Sequence, residues 1–588
     1  MNDFHKISIQ LSNRSYEYDV YTLVIAFFQG VSTHVYDPGE EMPADTDLRV
    51  TVDLGTEEIF ACVEDMRQDS GGPACRGGGS PEERFPDGRD SWETVSAGTA
   101  TAGSASAETA SSGSASVDTA FAGVASVDTA PADMASADAA ARKNRHERRV
   151  RLPEDPGRME EKNLLKSTLY ELLRGFAGYD LPWGNLTGIR PVKLAMDFLR
   201  EAERSAAGDG TPGVMTENAS CDADTSRHAA SKTAGRQMEQ VYYVSPRKAD
   251  LAVRIAQREK AILDRIRPED GYSLYIGIPF CPSICLYCSF SSSPLKLWKD
   301  RTQDYLDALL RELDESRTCF PGKKLQTVYI GGGTPTTLEA GQLDLLLGAV
   351  RRYYDMDHVL EFTVEAGRPD SITKEKLQVL KAHGVSRISI NPQTMNQKTL
   401  DLIGRRHTVE ETVEAFHLAR ELGFDNINMD LIVGLPGEGI REVTHTMEEI
   451  CRLDPDDVTV HALALKRAAR LALHMDEYEK ISFRVSDEIM RLCEDGCSSL
   501  SMTPYYLYRQ KNMAGNFENV GFAKPGKAGL YNILIMEEAQ CILACGASGS
   551  TKIVYGDGRI ERIENVKDVR SYLERIDEKI ARKDRIRE

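Results

Sequence analysis

Residues 271–288 read GYSLYIGIPFCPSICLYC, and this stretch decides the fold of the chain. Its first half is apolar and rich in β-branched and aromatic residues, which predicts a buried strand over Leu274–Ile278. Its second half places Cys281, Cys285 and Cys288 in a C-x₃-C-x₂-C spacing directly after that strand. Three thiols delivered into one loop indicate a site for a soft metal.

This cysteine spacing favours an iron–sulfur cluster over other uses of cysteine. A structural zinc site closes four ligands around the ion, and no fourth cysteine or histidine lies nearby in the sequence. Ferredoxin loops use C-x₂-C-x₂-C and are completed by a further cysteine. Three ligands on a four-iron cluster leave one iron open to another molecule. Three buried structural cysteines are the alternative without chemistry.

Short apolar strands alternate with amphipathic helices after the cysteine loop. Strands are predicted at Leu274–Ile278, Thr327–Ile330, Leu360–Glu365, Arg387–Asn391, Asn426–Ile432 and Val458–Leu463. Helices are predicted at Asp304–Leu313, Leu343–Tyr353, Lys374–Ala382 and Glu411–Leu422. This alternation predicts a parallel sheet covered by helices, and about 190 residues hold six units where a full barrel takes about 250. The predicted fold is α/β, an incomplete (β/α)6 TIM-like barrel.

The predicted strands are followed by side chains suited to a small charged ligand, which such barrels bind at the carboxyl ends of their strands. A glycine-rich turn lets backbone N–H groups approach a carboxylate, an acid suits an ammonium group, an arginine suits a carboxylate, and amide or acid oxygens suit ribose hydroxyls. The candidates are Gly332, Gly333, Thr334, Glu365, Gln393, Arg405 and Asp430. Each residue alone has an ordinary surface or ion-pair alternative, but their succession at strand ends favours one binding site.

The cysteine spacing resembles the signature of the radical S-adenosylmethionine enzymes. The resemblance implies a 4Fe–4S cluster on Cys281, Cys285 and Cys288, and S-adenosylmethionine bound through its amino and carboxylate groups to the open iron. One-electron reduction would then yield a 5′-deoxyadenosyl radical. Tyr275 and the strand-end candidates would hold this cofactor.

Within that superfamily the chain resembles the oxygen-independent coproporphyrinogen III oxidases, and especially their HemZ branch. The similar stretches are YIGIPFC at 275, YIGGGTPT at 329, FTVE at 362, RISINPQ at 387, DLIVGLP at 430, LTGIRP at 186 and PYYLYRQKN at 504. The resemblance implies oxidative decarboxylation of two propionate groups of coproporphyrinogen III, with an electron donor such as flavodoxin or ferredoxin. Gly277 and Phe290 depart from the best-known branch, which has His and Cys there.

Two other functions remain open at this point. Relatives with the same barrel act as haem chaperones, so a haem-binding protein is the alternative from another class. A radical enzyme with a different substrate is the third possibility, because the barrel motifs describe the radical machinery and not the substrate pocket.

A porphyrinogen with four carboxylates needs a local basic pocket. Candidates near the end of the barrel are Lys466, Arg467, Arg509 and Lys511, with Tyr505, Tyr506 and Tyr508 able to face the macrocycle. Surface charges and core aromatics are the alternative. His407 suits the pocket or a structural role. The pairs Cys493/Cys497 and Cys541/Cys545 would each share a helix face, as a second metal site or as buried apolar residues.

Composition divides the remainder of the chain. We expect a small α/β domain at 1–65, a disordered insert at 66–158, a helical connector at 159–269 with a polar insert at 205–238, the barrel at 270–470 and an α-rich substrate-covering domain at 471–588. The first insert carries a ten-residue repeat, ASAETA at 105 and ASVDTA at 115 and 125, too poor in apolar residues to stack.

Charge and hydropathy exclude several classes of protein. The 588 residues carry a net charge of −19, which argues against nucleic acid as the main partner. No apolar run approaches the roughly 20 residues that span a bilayer. The N-terminus lacks the pattern of a signal peptide, and 12 cysteines are too few for a disulfide scaffold. A cytoplasmic, reducing environment is expected.

Overall fold

The computed structural model describes residues 4–67, 145–188, 190–207, 219–288, 292–464, 485–510 and 513–586. The described residues form a five-stranded sheet near the N-terminus and an eleven-stranded sheet that carries the cysteine loop. The repeat-rich stretch 71–141 lies outside them, as do Phe290, Lys466, Arg467 and Lys511. Within these ranges no helix is both long and apolar enough to cross a membrane.

The N-terminal unit is a sheet in the order β2-β1-β3-β4-β5, packed against two helices. Its strands are β1 Lys6–Leu11, β2 Ser32–Tyr36, β3 Leu48–Leu54, β4 Glu58–Asp65 and β5 Arg145–Arg151, and its helices are α1 Glu17–Phe27 and α2 Arg158–Ala177. The leucines at helical spacing on α2 are buried against the sheet. Strands β1–β4 and helix α1 confirm the α/β character expected of residues 1–65.

Strand β5 lies inside the segment 66–158, which was expected to be disordered throughout, and that expectation is wrong for Arg145–Arg151. The strand pairs with β4 from Glu58↔Arg151 to Glu64↔Arg145. Two of its exposed arginines also form ion pairs, Arg149 with Glu58 at 2.6 Å and Arg148 with Glu171. Charged side chains are common on edge strands, where they discourage further pairing.

The segment 159–269 is helical, as expected, but its first helix α2 packs in the N-terminal unit and its expected polar insert contains a helix. Helices α3 Pro191–Ala207, α4 Ala219–Tyr242 and α5 Pro246–Ile266 follow α2. Helix α4 occupies most of 205–238, because Ala230, Ala234 and Met238 recur every four residues and are buried. Small residues at that spacing allow close helix packing even in a polar sequence.

Six consecutive parallel strands of the barrel sheet, β6 and β9–β13, have helices between them. The strands are β6 Gly271–Ile278, β9 Lys324–Gly332, β10 Glu361–Glu365, β11 Arg387–Ser389, β12 Ile427–Val433 and β13 Asp457–Ala462, with the short pair β7 Phe280–Cys281 and β8 Ser293–Pro294 after the first. The helices are α6 Thr302–Ser316, α7 Ala340–Tyr353, α8 Lys374–Ala382, α9 Gln397–Leu402, α10 Val409–Glu421 and α11 Ile440–Leu453. Every barrel strand and helix predicted from the sequence is confirmed within three residues.

The described region after residue 484 is mixed, with five strands beside the helices that were expected there. It contains β14 Thr503–Tyr508, β15 Asn519–Ala523, β16 Cys541–Cys545, β17 Ser550–Val554 and β18 Ile560–Glu564, with helices α12 Asp487–Ser499, α13 Leu530–Glu537, α14 Val569–Glu574 and α15 Ile576–Ala581. The strands extend the barrel sheet on both sides, in the order β14-β15-β13-β12-β11-β10-β9-β6-β16-β17-β18. No strand pairing in the described ranges joins β14 to β18, so the barrel is open.

Candidate active site

The cysteine loop is fixed to the sheet through its backbone. Phe280 and Cys281 pair with Ser293 and Pro294, and the N–H of Leu286 donates to the carbonyl of Ile403 at 2.9 Å. Cys281, Cys285 and Cys288 are present as thiols rather than disulfides. The loop therefore presents three potential ligands from a backbone already held in place.

The glycine-rich turn after β9 contacts this loop directly. The N–H groups of Gly333 and Thr334 donate to the carbonyls of Ile278 and Phe280, each at 2.7 Å. A Cβ on Gly333 would lie 2.5 Å from the Phe280 carbonyl oxygen, so only glycine permits this approach. These two N–H groups were expected to be available for a ligand carboxylate. They are already used, and the turn serves to anchor the cysteine loop.

Thr334 and Cys281 meet where the turn and the loop join. The Thr334 hydroxyl oxygen lies 3.6 Å from the sulfur of Cys281. Burial raises the pKa of the Cys281 thiol, and the Thr334 hydroxyl partly offsets this. A bound metal, which requires the thiolate, would reverse the effect of burial.

Arg368 was missed in the sequence and is the side chain nearest to Cys285 among the recorded contacts. It follows β10 by three residues, and its side chain is only 3% exposed. One guanidinium nitrogen donates to the Ser283 hydroxyl at 2.8 Å and lies 3.9 Å from the Cys285 sulfur. The only sequence signal is an arginine close after a strand end, which many surface loops also show.

Glu365 lies at the end of β10 beside a stack of tyrosines. Tyr329 donates to it at 2.5 Å, and the Tyr329 ring stacks on Tyr531 with centroids 4.5 Å apart and lies 6.2 Å from that of Tyr275. Burial raises the pKa of Glu365 to about 7, although the Tyr329 bond acts to lower it. Burial likewise raises the pKa of Tyr275. Glu365 thus combines a buried carboxyl group with a position at the ligand edge of the sheet.

Gln393, four residues past the end of β11, lies beside Asp430 of β12. The N–H of Gln393 donates to the Asp430 carbonyl at 3.0 Å, and Gln393 adopts φ +69°, a conformation that side-chain-bearing residues rarely occupy. Asp430 accepts from Asn428 at 2.8 Å and lies 3.8 Å from the His461 ring. Burial acts to raise the pKa of Asp430, but His461 and Asn428 bring it below its ordinary value.

Arg405 is buried beneath the cysteine loop. Its guanidinium donates to the carbonyls of Asn391 at 2.6 Å and Gly367 at 3.1 Å, and to the Tyr287 hydroxyl at 3.3 Å. Its Nε has no hydrogen-bond partner among the described residues. Burial acts to lower the pKa of Arg405, but Tyr287 and Cys285 bring it above its ordinary value.

His407 is fully buried in the same layer. Neither ring nitrogen has a hydrogen-bond partner within the described ranges, so it is not the satisfied structural histidine that one alternative supposed. Burial and the charge of Arg405 lower its pKa to about 3. The ring is therefore neutral and adds no charge to the site.

Arg509 and the tyrosines of β14 occupy the interior of the fold. Arg509 is 4% exposed and donates to the Leu186 carbonyl and to Asn516, so its charge is committed to the connector. Tyr505 donates to Asp457 at 2.8 Å. Tyr508 lies 3.5 Å from His461, which places it beside the Asp430 edge. Of the basic substrate candidates only Arg509 is described, and it does not line an open pocket.

The two cysteine pairs behave differently from each other. Cys493 and Cys497 share a buried face of α12, whereas Cys541 and Cys545 lie on strand β16 rather than on a helix. Among the described residues, no three His, Cys, Asp or Glu side chains surround a single point as one metal ion requires. Buried apolar packing accounts for Cys493 and Cys497, whereas the sulfur of Cys545 accepts from the Lys583 ammonium group at 3.3 Å and that of Cys541 contacts the backbone of Val554.

Gly277, the position that departs from the best-known branch, has a steric explanation. A Cβ there would lie 2.8 Å from the Ala547 carbonyl oxygen. Strand β16 runs parallel to β6 and brings that turn onto Gly277, whose carbonyl also accepts from Tyr305 at 2.7 Å. A histidine side chain has no room in this arrangement.

The residues present fit an iron–sulfur cluster that is held by three thiolates, with a small zwitterion bound beside it. In a four-iron cluster each thiolate binds a different iron, so the three sulfurs need not converge on one point. Glu365 ends β10, Gln393 lies four residues past β11 and Asp430 lies within β12, so three neighbouring parts of the sheet offer acid and amide groups.

Comparison with known proteins gives one family match and three similar proteins. Residues 275–450 match the model of the radical SAM superfamily. The chain is 41% identical over 431 residues to the oxygen-independent coproporphyrinogen-III oxidase-like protein HemZ of Bacillus subtilis, covering 71% of this chain and 80% of that protein. It is 31% identical over 309 residues to the haem chaperone HemW of the same organism, covering 52% and 76%, and 31% identical over 204 residues to the oxygen-independent coproporphyrinogen III oxidase of Escherichia coli, covering 34% and 44%.

Proposed function

Because this chain belongs to the radical S-adenosylmethionine superfamily, and within it to the family of oxygen-independent coproporphyrinogen III oxidase-like proteins, we propose that it decarboxylates coproporphyrinogen III oxidatively without oxygen. Two of the four propionate side chains would become vinyl groups, which gives protoporphyrinogen IX. Each conversion removes one hydrogen atom, one carbon dioxide and one electron from a propionate.

The observation that carries the proposal is the length of the match to the oxidase-like protein. That match covers 431 residues, more than twice the stretch 275–450 that matches the superfamily model. Shared radical machinery alone would not require similarity outside the barrel. The added similarity supports a common substrate as well as a common cofactor.

The 4Fe–4S cluster and S-adenosylmethionine together supply a 5′-deoxyadenosyl radical able to take hydrogen from an unactivated carbon. We assign Cys281, Cys285 and Cys288 as the cluster ligands. The glycine turn, through Gly333 and Thr334, holds their loop against β6 and β9. Rigid support of this kind keeps the reacting groups aligned while water is excluded.

The strand-end residues divide the work of holding the cofactor. We assign Glu365 to accept a hydrogen bond from its amino group, Gln393 and Asp430 to bind its ribose, and Arg405, through the unpartnered Nε, to bind its carboxylate. The stacked Tyr275 backs Glu365 from within the barrel. Each assignment matches a donor or acceptor with its complement at the same edge of one sheet.

Haem binding is the second candidate function, and the similarity to HemW favours it. That chaperone is 31% identical over 76% of its length, and it has the superfamily's cysteine-bearing barrel in common with the matched region of this chain. On this alternative the cluster would support transfer of a bound haem rather than turnover of a porphyrinogen.

An anaerobic assay of the reconstituted full-length protein tests the proposal. Dithionite, S-adenosylmethionine and coproporphyrinogen III are supplied, and 5′-deoxyadenosine and protoporphyrinogen IX are followed together. We expect both products, and their loss in Cys285→Ala. Formation of 5′-deoxyadenosine without porphyrinogen conversion would indicate another substrate. Neither product, together with stoichiometric haem binding, would establish the chaperone.

A supply of single electrons is required by the proposed reaction. An electron-transfer protein such as flavodoxin or ferredoxin would supply these electrons in the cell. We propose that this chain lies in the cytoplasm.

A further inference from the structure

We infer that Arg368 is a positioning residue of the cysteine loop, which fixes the Ser283–Cys285 segment and sets positive charge beside the Cys285 sulfur so that a cluster bound there is easier to reduce. The inference concerns the cluster and is independent of which substrate the protein uses.

The first part of the argument is geometric. One terminal nitrogen of Arg368 donates to two oxygens of Ser283, the hydroxyl at 2.8 Å and the carbonyl at 3.3 Å. The same nitrogen lies 3.9 Å from the Cys285 sulfur. On its other side the same guanidinium makes two bonds to Asp370, at 2.9 and 2.6 Å. The Asp370 carboxylate binds the planar Arg368 guanidinium through two hydrogen bonds and so restricts its rotation. The terminal nitrogen near the Cys285 sulfur is therefore held in one position.

The second part is electrostatic. The Arg368 side chain is 3% exposed and that of Asp370 is 22% exposed, so the pair is a dipole whose positive end faces the sulfur and whose negative end faces away. Solvent screens such a buried arrangement poorly. One-electron reduction adds negative charge to the cluster and its thiolates, and a nearby cation favours the more negative state.

Other charged groups in this layer do not cancel the effect. Arg405 adds a second buried cation on the far side of the loop, where it contacts Tyr287. His407 is neutral. Asp370 is the one acidic side chain recorded in contact with Arg368. Arg368 should therefore raise the reduction potential of the cluster, and Asp370 should lower it.

The test uses redox titration of the reconstituted full-length protein, followed by electron paramagnetic resonance. Arg368→Gln removes the cation, and we expect the one-electron reduction equilibrium to shift at least tenfold toward the oxidised cluster, about 59 mV more negative. Asp370→Asn leaves the cation without its counter-charge, and we expect a shift in the opposite direction. A side chain with a purely structural role would not give opposite shifts in the two variants.

Iron content measures the positioning role separately. Arg368→Lys keeps the charge but loses the fork, so we expect slower or partial cluster loading with a potential close to that of the parent. Arg352→Gln is the matched control, an exposed arginine on α7 that contacts only Tyr353 among the recorded bonds, and it should change neither quantity. Circular dichroism confirms folding of each variant.

The inference is overturned if Arg368→Gln loads fully with an unchanged potential, or if Asp370→Asn shifts the potential in the same direction as Arg368→Gln. If Arg368→Gln does not fold, the Lys and Asn variants decide the question by the same criteria. Failure of the coproporphyrinogen assay would leave these results unaffected.

Discussion

The two ends of the barrel strands use the same kinds of residue for different purposes. Glu361 and Glu365 lie four residues apart on β10. Glu361, at the amino end, accepts the N–H groups of Leu530 at 2.6 Å and Tyr531 at 3.2 Å and so caps helix α13. Glu365, at the carboxyl end, has burial as the main influence on its pKa, which is raised to about 7.

The same contrast holds across the sheet. At the amino end Arg387 and Asp457 form a buried ion pair at 2.8 Å, which Tyr505 completes. At the carboxyl end Gln393 has a strained backbone and Arg405 retains an unpartnered Nε. Unpartnered buried atoms occur at both ends, because Arg387 Nε and Asp457 Oδ1 also lack a partner among the described residues, so the contrast rests on the ion pair at the amino end and the positive φ of Gln393 at the carboxyl end. Substitutions at the amino ends of the strands should therefore lower stability, and substitutions at the carboxyl ends should lower cofactor binding or activity.

The largest effect is expected for Cys285→Ala. Loss of one cluster ligand should lower the rate of S-adenosylmethionine cleavage at least ~10³-fold, about 4 kcal/mol of activation free energy. Thermal unfolding should change by less than about 1 kcal/mol, because the loop keeps its backbone bond to Ile403. Liquid chromatography of 5′-deoxyadenosine measures the cleavage rate, and calorimetry measures the stability. A large loss of stability would place this loop among the structural elements instead.

At the opposite end, Asp457→Asn should act on stability. The change leaves the buried charge of Arg387 without its partner, which costs about 3–5 kcal/mol in comparable buried pairs. Thermal unfolding and amide exchange of β11 and β13 measure this cost. At 10 °C the folded variant should keep its affinity for S-adenosylmethionine within about threefold. A selective loss of affinity without destabilisation would contradict the division between the two ends.

The pH dependence of cofactor binding should report Glu365. Since its pKa is about 7, the carboxylate that accepts a hydrogen bond from the cofactor's amino group is present above pH 7 and is lost below it. Affinity should fall about tenfold per unit as pH decreases below 7. Equilibrium dialysis from pH 6 to 8.5 measures it, and Glu365→Gln should give a flat profile. A pH dependence that persists in this variant would assign the titration to another group.

The same carboxyl group should lower the stability of the folded protein at neutral and higher pH. Its folded pKa lies above its ordinary value, so its stabilising contribution is full below about pH 4.5 and is lost as pH rises through 7. Glu365→Gln should therefore stabilise the protein by about 2–3 kcal/mol at pH 8. Thermal unfolding of the parent and of Glu365→Gln at pH 5 and pH 8 measures this difference in stability. If the two proteins are equally stable at pH 8 as well as at pH 5, the prediction is refuted.

The smallest effect is expected on deleting residues 71–141. Strands β4 and β5 pair antiparallel, with Glu64 opposite Arg145, so a short turn can join them. We expect activity within about twofold of the full chain and an unchanged unfolding midpoint for the N-terminal unit. Loss of activity would show that the repeat takes part in function.

The barrel and its cluster loop could be predicted because local pattern and topology agree there. Alternating strands and helices allow few arrangements, and β6 delivers Cys281 directly into the site. The strand ends Glu365, Gln393 and Asp430 followed from the same rule that ligands bind at carboxyl ends.

Other features required tertiary information. The strands β14–β18 were missed because each is short and gains its apolar contacts only beside β13 or β6. Helix α4 was missed because alanines at helical spacing read as a polar linker until their packing is seen. The role of Arg368 depends on a contact with Ser283, 85 residues away, which no local pattern reveals.

The affinity of reconstituted Glu365→Gln and Glu361→Gln for S-adenosylmethionine at pH 8 tests most directly the claim that the carboxyl ends of the strands hold the cofactor. The two substitutions are chemically identical and lie on one strand. We expect Glu365→Gln to lose affinity about 10- to 100-fold, as for loss of a charged hydrogen bond, and Glu361→Gln to stay within about twofold. Equal losses, or a greater loss in Glu361→Gln, would contradict the account.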